Sequence, residues 1–161
     1  MATRFMYKTL ATAALGIAAS LLLAATPGQG VTTTILSGPV ALDEIHAMSH
    51  TPEHTAVINT RGPSHVYFVS NLISPGGHTG WHSHPGISFV TVRSGTATEY
   101  HGDDPSTPHV YPAGSGFVEE AGAVHVIRNE GNTTLELVAF QLIPFGAVRR
   151  IEVVSFEEPR E

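Results

Sequence analysis

The sequence predicts an all-β domain, an antiparallel sandwich or barrel, on three observations. Short runs rich in Val, Ile, Thr and aromatic residues recur along residues 65–143, Gly and Pro clusters separate them, and no helical period of useful length appears after the first 25 residues. At 161 residues the chain is long enough for one domain with a proper core, and too short for a second to be expected.

Residues 1–25 read as a signal peptide. Arg4 and Lys8 precede an apolar run over 10–25, and Thr26, Pro27 and Gly28 follow it. The run is short for a membrane span, so the mature form is expected to be secreted or periplasmic with no membrane span. Leu23 occupies the position where a cleavage site prefers a small residue, which leaves an uncleaved N-terminal anchor as the alternative. The chain has no Cys. A lipid anchor on Cys and a disulfide are therefore both excluded, and stability outside the cell must come from packing, a bound metal or a partner subunit.

Residues 26–64 read as an irregular N-terminal segment with an edge strand. Its first part, to about residue 38, is expected to be a linker entering that strand. Its second part, 41–64, is polar, contains His46, His50 and His54, and turns at Arg61-Gly62-Pro63. Those three His recur every four residues, but Pro52 and the lack of an apolar stripe make a surface cluster the better reading than a helical turn. Barrel strands are expected within 65–145, at 65–73, 87–92, 96–101, 124–128 and 134–143, with 146–161 as a C-terminal extension.

The formal charge of −6 excludes a basic nucleic-acid surface and points to small-molecule partners. Without Arg4 and Lys8 the chain carries six basic and fourteen acidic residues, a net charge near −8.

The chemistry concentrates in GGHTGWHSHPGISF, residues 76–89. Residues two apart on a strand share a face, so His82 and His84 aim at one point. His125 opens a strand after a Gly-rich turn and can complete a facial set of three nitrogens. Ser88 has the parity of His82 and His84 and is expected to line a pocket. Gln141 shares a face with Leu135, Leu137, Ala139 and Ile143, so its amide needs buried partners, one of which a ligand can supply. Trp81 is expected on the face opposite the His pair or at a subunit contact. Of Tyr100 and His101, one must face outward.

The spacing of these residues resembles the two motifs of the cupin superfamily, G-x5-H-x-H-x3-E-x6-G and G-x5-P-x-G-x2-H-x3-N. The first falls on Gly76, His82, His84, Ser88 in place of Glu, and Gly95; the second falls on Gly114, Glu120 in place of Pro, Gly122, His125 and Asn129. The resemblance implies a jelly-roll β-barrel with a metal between its sheets, held by His82, His84 and His125. Exposed barrel edges and the resemblance together favour a homodimer.

With Ser88 where the family has Glu, such a site loses its anionic ligand, keeps the full charge of a divalent ion and leaves up to three positions open. Neutral imidazoles suit a transition metal, with Fe(II) expected first and Ni, Cu, Zn or Mn as alternatives. Three-His cupin sites resemble those of thiol and diketone-cleaving dioxygenases, which implies a mononuclear non-haem Fe(II) enzyme acting on a small chelating anion. The alternative is a non-enzymatic module that holds a small ligand. Glu120, Tyr100 and His78 are the candidates for an acid or base beside the metal.

Overall fold

The computed structural model describes residues 27–153. The signal and anchor readings lie outside them. Twelve strands follow one another along the described chain: β1 (Gln29–Leu42), β2 (His46–His50), β3 (Thr55–Asn59), β4 (Ser64–His78), β5 (His82–Ser83), β6 (Ile87–Ser94), β7 (Thr96–His101), β8 (His109–Pro112), β9 (Gly116–Glu119), β10 (His125–Arg128), β11 (Leu135–Pro144) and β12 (Ile151–Glu152). Ten form one sheet in the order β12-β5-β10-β4-β11-β6-β9, with β1 added on β4, and β7 and β8 added beyond β10. The fold is all-β, as expected. Among the described residues no helix is long and apolar enough to cross a membrane.

Alternation along the central strands builds the interior. In β11 the side chains of Leu135, Leu137, Ala139, Gln141 and Ile143 are buried and their neighbours half-exposed, the period of two that a pleated strand imposes. β6 does the same with Ser88, Val90 and Val92. The two strands pair so that Ala139 meets Val90, Leu137 meets Val92 and Gln141 meets Ser88. Ile73, Ala97, Phe117, Ile127 and Leu135 complete the apolar cluster, each fully buried large side chain contributing about 1.5–3 kcal/mol. The core fills one side of the barrel and leaves the polar row of Gln141 and Ser88 toward the other.

Two motif residues have structural reasons. Gly95 takes φ 77°, and a Cβ there would stand 2.9 Å from the Leu135 Cα, so the β6–β7 hairpin requires glycine on both counts. Asn129 is 1% exposed. Its amide donates to the carbonyls of Ile73 and Thr133, each at 2.8 Å, and its Oδ1 accepts from Gly131 N–H at 3.2 Å.

Several local expectations need correction. β1 is a fourteen-residue strand paired with β4 through most of the segment read as a linker. The stretch 41–64, read as irregular, holds the β2–β3 hairpin, registered from His46 against Asn59 to His50 against Thr55; its strands are polar and exposed, which hid the pairing from hydrophobic periodicity. β4 runs on to His78 rather than ending at 73. β8 and β9 are four-residue strands between Pro and Gly turns, too short to register as a pattern. Trp81 is 4% exposed and packs inside the domain, which leaves the subunit-contact alternative without an exposed ring.

Candidate metal centre

His82 lies on β5, opposite His125 of β10. His84 follows, and its carbonyl accepts the Gly122 N–H at 2.8 Å. Gly122 holds φ 78°, a left-handed conformation that suits glycine, which lets the turn before β10 fold back onto the His84 segment. The three rings converge: centroids are 4.4 Å apart for His82 and His125, 4.9 Å for His82 and His84, and 5.4 Å for His84 and His125. All three are buried, and one ring nitrogen from each lies within 4.8 Å of the others, a group able to hold a metal ion.

The main chain sets each ring. Nδ1 of His82 meets the Gly80 carbonyl at 2.9 Å, Nδ1 of His84 the Arg149 carbonyl at 2.8 Å, and Nδ1 of His125 the Ala123 carbonyl at 3.0 Å. A carbonyl only accepts, so each Nδ1 carries a hydrogen and each neutral ring offers its lone pair at Nε2. Nε2 of His84 and of His125 face the Glu119 carboxylate at 3.3 and 3.2 Å, and the buried His125 Nε2 makes no aligned hydrogen bond. Lone pairs facing a carboxylate repel unless a cation lies between them. A proton or a metal ion satisfies the arrangement, so this donor set fits a divalent ion.

The metal-free electrostatics follow the same logic. Burial pushes the Glu119 carboxyl up, but His125 and His84 beside it hold it below the usual carboxylate range. Burial pulls His125 down, and the Glu119 carboxylate overcomes this and raises it. His82, without that partner, falls well below 6.5, first through burial and then through the charges of His125, Arg150 and His84.

A cavity of about 250 Å³ opens beside the rings. Val90, Leu137 and Ala139 form an apolar wall, and Gln141, Glu119 and Arg149 present polar groups. Gln141 donates from Nε2 to the Ser88 hydroxyl at 3.1 Å and accepts at Oε1 from Arg149 Nη1 at 3.2 Å. Arg150 also lines the cavity, tied to the Thr79 carbonyl at 2.7 Å and to Glu152.

Residues 72–140 match the Cupin_2 family, described as "Cupin domain". Over that segment the chain is similar to a cupin domain. The polyketide cyclase RemF of Streptomyces resistomycificus superimposes with a TM-score of 0.56 at 15% identity, over 85% of this chain and 81% of that one. A cupin domain from Bordetella pertussis gives 0.50 at 18% identity, over 73% and 95%. The match to a conserved protein of unknown function from Streptococcus pyogenes spans 49% of this chain and 65% of that one, at 22% identity and a TM-score of 0.44. No curated protein matches the sequence.

Within this β-barrel His82, His84 and His125 come together and Gln141 lines the cavity beside them, whereas Ser88 is fully buried, bonded to Gln141, and is not among the residues that line the cavity. The three acid–base candidates do not join the site. Tyr100 points outward: its hydroxyl donates to Glu130 at 2.7 Å and Arg128 covers its ring. Glu120 is exposed on the side opposite Glu119, as strand alternation requires, and lines a separate depression with His101. His78, at the end of β4, accepts the Gly80 N–H at Nδ1 and lies away from the metal group. Sequence reasoning missed Glu119, Arg149 and Arg150. Glu119 gave a faint signal, since the parity that excludes Glu120 from the interior favours its neighbour.

Proposed function

We propose that this chain is an exported, mononuclear three-His cupin enzyme of non-haem Fe(II) dioxygenase type, acting on a small chelating anion. The observation that carries the reading is the set of three Nε2 lone pairs, each oriented by a backbone carbonyl, beside a cavity that His82 and His84 line together with Arg149. Imidazole donors suit Fe(II) among the divalent metals. The bound ion would supply a Lewis-acid centre able to engage an anionic substrate and dioxygen.

The chain's own residues account for binding. Arg149 offers its guanidinium to an anion, held in place by Gln141. Val90, Leu137 and Ala139 exclude water from the apolar part of the ligand. Export rests on Arg4, Lys8 and the apolar run 10–25.

Metal analysis of protein purified from its own host, followed by oxygen uptake with thiols, diketones and flavonols, tests the reading. Iron with substrate-dependent oxygen consumption supports it. A stoichiometric metal with tight anion binding and no turnover would instead favour the ligand-binding module.

A further inference from the structure

We propose that Glu119 is the fourth, anionic ligand of this metal centre, so that the carboxylate absent at position 88 arrives from the neighbouring strand. The inference rests on the metal-centre reading above and changes the composition of that centre.

The register makes the transfer. Ser88 on β6 pairs directly with Glu119 on β9, so both residues occupy one rung of the ladder and face the same interior. Ser88 is fully buried and its hydroxyl is engaged by Gln141, whereas Glu119 extends to the histidines. Its two oxygens approach different rings, Oε1 to His125 at 3.2 Å and Oε2 to His84 at 3.3 Å. Donors bound to one ion at about 2.0–2.2 Å lie about 3 Å from their neighbours in the coordination sphere. Glu119 therefore stands at adjacent-ligand distance from two of the three rings, His84 and His125, while the group whose nitrogens all lie within 4.8 Å of one another is the three histidines.

The energetics favour the same assignment. Glu119 is 7% exposed, and a carboxylate withdrawn from water needs a compensating positive charge. The histidines that face it are neutral when they act as ligands, so in the loaded site the ion supplies that charge beside Arg149, which shares the cavity and feels the Glu119 charge. A divalent ion held by three imidazoles and one carboxylate carries a net charge of +1 rather than +2. A six-coordinate ion then keeps two positions for substrate instead of three.

Cobalt(II) titration against an indicator chelator, on wild type, Glu119→Gln and the exchange variant Ser88→Glu with Glu119→Ser, tests this, with thermal melts confirming that each is folded. Glu119→Gln is expected to lose about 10–100-fold in cobalt affinity, and the exchange variant to recover most of it. Azide should bind more tightly to cobalt-loaded Glu119→Gln than to loaded wild type, because the centre gains a charge and an open position. Glu119→Asp, which keeps the charge on a shorter arm, should fall between wild type and Gln, so the assignment does not depend on the exchange variant folding. Equal cobalt affinity in wild type and Glu119→Gln, with unchanged azide binding, would overturn the ligand assignment while leaving the three-His centre standing. A wild type that takes up no cobalt would overturn both.

Discussion

The His84 ring donates from Nδ1 to the main-chain carbonyl of Arg149 at 2.8 Å, across 65 residues of sequence. The contact ties the first metal motif to a segment that the motifs do not include. β12 reinforces it by pairing with β5, Ile151 against Ser83 and Glu152 against His82. Residues 149–152 of the C-terminal extension thus help to hold the centre.

A chain ending at Pro144 should therefore lose about 10–100-fold in metal affinity, because His84 loses the acceptor that fixes its tautomer. Arg149→Ala keeps that carbonyl. It should retain full metal affinity and lose affinity for small carboxylate anions instead. Isothermal titration of both proteins, first with metal and then with anion, separates the two functions of Arg149.

In the metal-free protein the contribution of His82 to stability should fall as pH drops below 6.5, opposite in sign to that of His125, whose value is raised. His82 titrates at about 6.5 when unfolded, but burial and its positively charged neighbours keep its folded value well below that. Below pH 6.5 the unfolded chain takes up a proton that the folded chain refuses, so unfolding becomes easier as pH drops toward the folded value. His82→Asn lacks this titration. The stability difference between wild type and His82→Asn, from urea melts at several pH values, should shift against wild type only below pH 6.5.

Asn129→Ala should destabilise the barrel by about 1–3 kcal/mol, since it leaves the buried carbonyl of Ile73, and the more exposed one of Thr133, without the Asn129 donor. Metal affinity of the folded fraction should hold, because Asn129 touches none of the three histidines. Denaturant melts report the first effect and metal titration the second.

The exported protein should begin between Thr26 and Val31, as the basic start and apolar run of the first 25 residues imply. N-terminal sequencing of protein recovered outside the cytoplasm checks this, and an intact Met1 in the membrane fraction would support the anchor.

His82, His84 and His125 were legible in the sequence because their spacing along two short segments survives translation into strands. Ser88 and Gln141 were legible as interior by parity alone. Parity could not say which of Tyr100 and His101 turned outward, since that depends on where β7 meets β10, with Tyr100 opposite Val126 and His101 opposite His125. Glu119 escaped for a related reason: its place beside the metal group comes from the β6–β9 register, a long-range pairing that no local pattern encodes. Arg149 escaped because its contribution comes through a backbone carbonyl, and every residue type has one. The β2–β3 hairpin was hidden by its polarity.

The anonymity of the main-chain carbonyl matters for the history of the site. All three rings are oriented by main-chain oxygens, so no side chain beyond the histidines themselves is required to keep the tautomers correct. Substitutions at Val90, Leu137, Ala139 or Gln141 can reshape what the cavity accepts without disturbing how the nitrogens point. A lineage built on this arrangement can change what the cavity holds by ordinary point mutation while the orientation of its three nitrogens passes unaltered from one descendant to the next.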